Sequence, residues 1–251
     1  MHAIEFAAAG YQAGGKLILD RLSLAVRRGE TLALLGPSGS GKTTALKLIN
    51  ALLMPTAGEV LVNGRSTATW DRIELRRSIG YAIQEIGLLP HYTVGENISL
   101  LPRLERWPRE RMEARVRELL ELVNLPYREF AGRYPDELSG GQRQRVGMAR
   151  ALALGPPILL LDEPFGALDP ATRTALQVEF RRLVQMLQAT AVFVTHDAQE
   201  ALAVSDRIAL LEAGRLRAVL TRSGFLGNAD PAAEPYLNAL RAAAALLKAD
   251  G

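Results

Sequence analysis

The sequence predicts an α/β fold with a mainly parallel sheet, an N-terminal antiparallel β subdomain and an inserted α-helical subdomain. Three observations carry that prediction. Thr31-Leu32-Ala33-Leu34-Leu35 is a short, wholly apolar run of the kind buried in a parallel sheet, and it leads straight into a glycine-rich stretch and a helical pattern. Ile158-Leu159-Leu160-Leu161 is a second such run, ending at Asp162. Strand-like and helix-like segments alternate along the chain, the pattern of βα units.

Residues 4–6 and 17–26 alternate loosely as strands, with Gly14-Gly15 as the turn between them. After strand 31–35 and the glycines, residues 43–53 form a helix, and 59–63 a strand ending at Gly64. Residues 79–83 resemble a strand, and the stretch from about 85 to 137 is mainly helical. Its clearest helix is 109–123, where Met112, Val116, Leu119, Leu120 and Val123 recur at helical spacing. The charges of residues 105–117 form its solvated face. A second helix covers 142–154, stopping near Gly155-Pro156-Pro157. Beyond strand 158–161 come a long helix (172–188), a strand (191–195) and a short helix (199–204). A hairpin of 207–212 and 215–220 follows around Ala213-Gly214, and the Ala-rich stretch 239–248 is a helix or a frayed tail.

Composition bounds the function. A chain of 251 residues with 48% hydrophobic and 23% charged residues fills a sizeable core. The net charge is only +3, and the pI of 9.4 owes much to 26 Arg against 4 Lys, so nucleic-acid binding is not read from it. The absence of cysteine excludes disulfides, thiolate metal sites and cysteine nucleophiles. His2 and His91 have no metal-binding neighbours at ligand spacing, so no dedicated zinc site is expected. Met1-His2-Ala3-Ile4-Glu5 shows no secretory signal, and no run reaches the ~18 apolar residues of a spanning helix. The expectation is a soluble chain that would serve a membrane process from the cytoplasmic face, through a partner.

Gly36-Pro37-Ser38-Gly39-Ser40-Gly41-Lys42-Thr43-Thr44, between a strand and a helix, is a phosphate-binding loop in its proper context. Its glycines let successive backbone N–H groups turn around a β-phosphate, and the helix adds its positive end. Lys42 should bridge β- and γ-phosphates, Thr43 should ligate Mg²⁺, and Thr44 should bond the α-phosphate. Asp162, at a strand end, is placed to hold Mg²⁺, and Glu163 beside it to polarise the attacking water. Leu138-Ser139-Gly140-Gly141-Gln142 opens a helix: Ser139 and two exposed glycine amides there make a second anion site.

These motifs, in this order, resemble the ATP-binding cassette (ABC) family, the ATP-hydrolysing subunits of membrane transporters. The resemblance covers about residues 4–220. It implies a P-loop NTPase core, ATP and Mg²⁺ as cofactors, and a head-to-tail homodimer in which Ser139, Gly140, Gly141 and Gln142 reach the γ-phosphate on the partner's loop. It implies that Gln84 touches Mg²⁺ and water, that Asp169, in Ala167-Leu168-Asp169, lies at the dimer interface, and that His196 contacts the γ-phosphate. The resemblance also implies that Tyr11, upstream of the loop, is the ring that stacks on adenine, with His2 and Phe6 as nearby alternatives. An isolated chain is expected as a monomer or weak dimer that closes on nucleotide. Residues 1–225 would form the ABC ATPase domain, with the helical insertion at about 85–140, and 226–251 a short helical tail.

Cargo is hinted at by residues 79–98, IGYAIQEIGLLPHYTVGENI, followed by Leu101-Pro102-Arg103 and Trp107-Pro108. That stretch looks like the importers of the glycine betaine, carnitine and choline group. Asp162-Glu163-Pro164-Phe165-Gly166-Ala167-Leu168-Asp169 is typical of importer ATPases. The implied partners are integral-membrane permease subunits and, indirectly, a solute-binding protein, with no nucleic acid. The apolar, proline-bearing segment after Gln84 could form a groove for a permease helix, or its leucines could simply pack the helical subdomain. Many members of that group continue into paired regulatory domains, whereas this sequence stops at Gly251. Other readings are an importer ATPase for another small solute, an exporter ATPase, and a non-transport cassette ATPase. The last usually carries two cassettes or a long coiled-coil insertion, and the sequence shows neither.

Overall fold

The computed structural model describes residues 1–83, 87–166 and 168–249. The chain begins with β1 (His2–Ala13), β2 (Lys16–Arg27), β3 (Thr31–Leu35), α1 (Lys42–Ile49), β4 (Ala57–Val62) and β5 (Arg65–Ser66). It continues through α2 (Arg72–Arg77), β6 (Ile79–Ala82), α3 (Val94–Leu104), α4 (Arg109–Leu122), α5 (Tyr127–Phe130), α6 (Gly140–Ala151), β7 (Ile158–Asp162) and α7 (Pro170–Leu187). Then come β8 (Thr190–Thr195), α8 (Ala198–Val204), β9 (Arg207–Glu212), β10 (Arg215–Thr221), α9 (Arg222–Leu226) and α10 (Glu234–Ala249). Two compact units result: Met1–Thr69 with Val192–Gly251, and Trp70–Ala191.

In the first unit β1 and β2 form a hairpin whose turn residues, Gly14 and Gly15, have φ of 55° and 76°. Two positive φ values in succession suit glycine and match the right-handed strand twist. The hairpin is part of an antiparallel sheet of order β2-β1-β4-β5. Strand β3, buried at every position, pairs in parallel with β9, which pairs antiparallel with β10. A polar clamp sets the β3–β9 register: Thr31 N–H donates to Asp206 Oδ2 (2.9 Å) and Asp206 N–H to the Thr31 carbonyl (2.8 Å). Beside it, Glu30 is 7% exposed, accepts the Arg27 N–H at 2.7 Å and pairs with Arg207 at 3.0 Å.

In the second unit β6 and β7 pair in parallel, Ile79 with Ile158 through Ala82 with Leu161. The predicted α/β class with parallel strand pairs and an N-terminal antiparallel sheet is thus observed. Helix α3 starts in a capping box of Thr93 and Glu96. Within α3 the buried Asn97 accepts the Leu89 N–H (2.8 Å) and donates to the carbonyls of Leu89, Tyr92 and Thr93 at 3.0–3.1 Å. Helix α4 buries Val116, Leu119 and Leu120, the stripe its spacing predicts, while Met112 is half-buried. Phe165 and Phe180, the latter in the middle of α7, meet edge-on with ring centroids 6.1 Å apart.

Some boundaries differ from the sequence reading. Helix α1 ends at Ile49 and not at 53, because Asn50 leaves the helix, accepts the Leu52 N–H (3.1 Å) and is followed by Ala51 at φ 52°. Helix α6 begins at Gly140, two residues earlier than read, because Ser139 is its cap. Helix α10 begins at Glu234, ahead of the Ala-rich stretch, and α2 and α9 were not anticipated. Among the described residues no helix is long and apolar enough to cross a membrane.

Candidate nucleotide site

The first unit presents the glycine-rich loop at the end of β3. Pro37, Ser38 and Gly39 are exposed, whereas Gly36, Ser40 and Gly41 are buried. Gly41 has φ 97°, and a Cβ there would lie 2.6 Å from Leu19 Cδ2 and 3.0 Å from the Ile18 carbonyl, so a side chain is excluded on two counts. Gly41 is also the N-cap of α1; it offers no side-chain cap, and the first turn carries no carboxylate. The positive end of α1 therefore carries neither a side-chain cap nor a neutralising acid.

Two further features belong to that end. Lys42 is 5% exposed, and its Nζ donates to the carbonyls of Gly36 and Pro37, both at 2.8 Å. The ammonium is thereby folded over the loop and held there. Ser40 Oγ is buried without a hydrogen-bond partner among the described residues. A buried hydroxyl is seldom left so, and an anion in the loop would supply the acceptor. Thr43 and Thr44 occupy the first turn, half-buried.

Tyr11 stands opposite Leu19 in the β1–β2 register, and Leu19 is the side chain against which Gly41 packs. Of the other two rings, Phe6 is 3% exposed in the core and His2 lies beside Glu5 at 3.6 Å. His196, also of this unit, is exposed on a turn with buried support. Thr195 Oγ1 donates to Glu200 Oε2 (2.5 Å) and accepts the Asp197 N–H (3.0 Å), and Asp197 caps α8.

The second unit carries the acidic pair. Asp162, 4% exposed, ends β7, and its charge together with burial pushes the Tyr81 phenol up to about 12, burial being the larger cause. Glu163 follows at φ 47°, a left-handed conformation uncommon for a side-chain-bearing residue. The turn is tied by Gly166 N–H to the Glu163 carbonyl at 3.3 Å, and by Gln144 Nε2, which donates to the Pro164 carbonyl.

The Ser-Gly-Gly segment caps α6 by a reciprocal pair. Ser139 Oγ accepts the Gln142 N–H (3.2 Å), and Gln142 Oε1 accepts the Ser139 N–H (2.9 Å). Gly140 is half-buried and Gly141 buried, because α6 packs on α7 there. A Cβ on Gly141 would lie 2.6 Å from Thr172 Cγ2. Asp169 caps α7 through the Thr172 N–H (3.0 Å), and the bonds from Thr172 hold its carboxyl below the usual range. Gln84, and Ala167 of the Asp169 segment, lie outside the described residues. Sequence reasoning missed Gln144; the available signal was a polar residue in the buried stripe of α6, at helical spacing with Gly141 and Met148.

The family model described as ABC transporter matches residues 19–166. The chain belongs to the ABC transporter family. It is 50% identical over 225 residues to the choline transport ATP-binding protein OpuBA of Bacillus subtilis (strain 168), covering 89% of this chain and 59% of that one. It is 51% identical over 215 residues to the glycine betaine/carnitine/choline transport ATP-binding protein OpuCA of the same strain, covering 86% of this chain and 56% of that one. The chain thus spans less than two thirds of the length of these relatives. Among solved structures, the ATP-binding cassette MJ0796, a dimer in a post-hydrolysis state bound to ADP and Pi, is similar at TM-score 0.77 and 36% identity. That match covers 87% of this chain and 98% of that one.

Proposed function

We propose that this chain is the ATP-hydrolysing subunit of an importer of quaternary-amine osmoprotectants of the glycine betaine, choline and carnitine type. The observation that carries the ATPase part is the anion-ready end of α1: an uncapped helix start, the Lys42 ammonium folded over the loop, and the orphaned Ser40 hydroxyl. Half-identity to relatives named for choline and glycine betaine transport supports the solute class.

In this reading residues 36–44 wrap the phosphates of ATP, Lys42 neutralises them and Tyr11 stacks on the base. Thr43 and Asp162 offer hard oxygen donors, the type Mg²⁺ takes, with Gln84 as a further ligand. Bound Mg²⁺ supplies charge neutralisation at the phosphates. Glu163 accepts a proton from water, and His196 donates toward the γ-phosphate. Ser139, Gly140, Gly141 and Gln142, with Asp169, serve the nucleotide of a second copy, so hydrolysis needs a homodimer. Residues 1–225 act as the ATPase domain, with the helical insertion at about 85–140, and 226–251 as a helical tail. The assembly works peripherally on the cytoplasmic face of the membrane, through permease subunits fed by a solute-binding protein.

The test is uptake of labelled glycine betaine, choline and carnitine in a strain lacking the gene. Loss of uptake, restored by the parent chain but not by its Glu163→Gln form, is expected. Unchanged uptake of all three would sink the solute assignment.

A further inference from the structure

Helix α6 opens on the Ser139 cap, and its first turns are seated against α7 and against the turn after β7. Gly141 lies flush against Thr172 of α7. One turn further on, the buried side chain of Gln144 donates from Nε2 to the carbonyl of Pro164, itself buried and next to Glu163. The sequence separation is 20 residues, so the bond is a tertiary tie and not a local cap.

The location of that tie matters because of the backbone it holds. Glu163 sits at φ 47°, and a left-handed non-glycine residue persists only where its surroundings over-determine it. Pro164 has no N–H with which to tie the turn itself. The turn is held instead from the Glu163 carbonyl by Gly166, from Phe165 by its packing on Phe180, and from the Pro164 carbonyl by Gln144. Without the amide, a buried carbonyl loses its donor, and the turn relaxes toward conformations that aim the Glu163 carboxylate elsewhere.

We propose that Gln144 is a positioning residue for Glu163, through which the signature end of α6 sets the direction of the water-activating carboxylate in the same chain. The inference rests on the reading of Glu163 as the group that polarises water. It adds a mechanical link: displacement of Ser139 and Gly140 by the nucleotide they grip is read, through one rigid helix, at the chain's own base.

The experiment uses the full chain, phosphate release at saturating ATP and Mg²⁺, and titration with a fluorescent ATP analogue. Gln144→Met keeps the length and removes the donor; Gln144→Leu is the second variant if the first folds poorly. The expected result is a turnover about tenfold lower, roughly the worth of one hydrogen bond, with KM and analogue affinity unchanged. In a Glu163→Gln background the same substitution should change turnover no further, since its effect passes through Glu163. An equal tenfold loss in both backgrounds would make Gln144 merely structural, and unaltered turnover beside a crippled Glu163→Gln enzyme would overturn the proposal alone. If Glu163→Gln itself hydrolyses normally, the reading of Glu163 falls first and this one with it.

Discussion

Gly141 leaves no room on α7, and the consequence can be worked in numbers. A Cβ at Gly141 would stand 2.6 Å from Thr172 Cγ2, with the next atoms at 3.9 and 4.0 Å. Two carbon atoms want about 3.5–4.0 Å, so Gly141→Ala forces α6 and α7 apart by about 1 Å or rotates the threonine. Such overpacking costs about 1–3 kcal/mol, against which alanine's helix propensity returns up to about 1 kcal/mol. Thr172→Ser deletes the one conflicting atom and keeps the hydroxyl. The cycle of Gly141→Ala, Thr172→Ser and the double variant should therefore show a coupling of about 1–3 kcal/mol. In a chain of this length that is about 2–12 °C in melting temperature, at roughly 2–4 °C per kcal/mol. Scanning calorimetry on the four proteins measures it. A double variant that melts as low as Gly141→Ala plus the separate effect of Thr172→Ser would refute the steric argument.

Glu163→Gln should lower ATP turnover by about 10²-fold or more, as loss of general-base help does, measured by phosphate release from permease-bound protein; unchanged turnover would remove Glu163 from the chemistry. Lys42→Ala should weaken ATP binding at least about tenfold, read by fluorescent-nucleotide titration, because a buried charge-assisted contact is lost; an unaltered Kd would mean the ammonium does not face phosphate. The Tyr81 phenol is pushed up to about 12, against about 10 for a free phenol. The folded state therefore holds this proton more tightly than the unfolded state. The stability it adds is whole below pH ~10 and lost as pH rises through ~12. Melting temperatures of Tyr81→Phe should fall less between pH 9 and 12 than those of the parent, and parallel curves would argue against the burial of Tyr81.

What the sequence made legible was local. The strand before Gly36, the cap Ser139 with Gln142 three residues on, and the apolar run into Asp162 are each written within a few neighbouring residues. The stripe of Val116, Leu119 and Leu120 on α4 was equally plain. The position of the acidic Glu163 was legible but its left-handed backbone was not, since nothing in Asp-Glu-Pro demands it. Contacts joining distant stretches were not readable at all. Gln144 meets Pro164 across 20 residues, Arg150 donates to the Gly87 carbonyl across 63, and Asp206 holds Thr31 across 175. The early end of α1 was missed because Asn50 reads as an ordinary helix residue until its side chain turns back on Leu52. The Ser-Gly-Gly string shows a helix start, but the packing of Gly141 against Thr172 of α7 could not be seen from it.

Asn97 gives the surface after Gln84 an unusual mechanical character. Its carboxamide grips the backbone of Leu89, Tyr92 and Thr93 from inside, while Leu89 and His91 face outward. A loop fastened in this way has already lost its conformational entropy before anything touches it. A body pressing on Leu89 or His91 does not have to order a slack segment first. Asn97 belongs to α3, so the outward-facing Leu89 and His91 ride on backbone bolted to that helix and not on a slack flap.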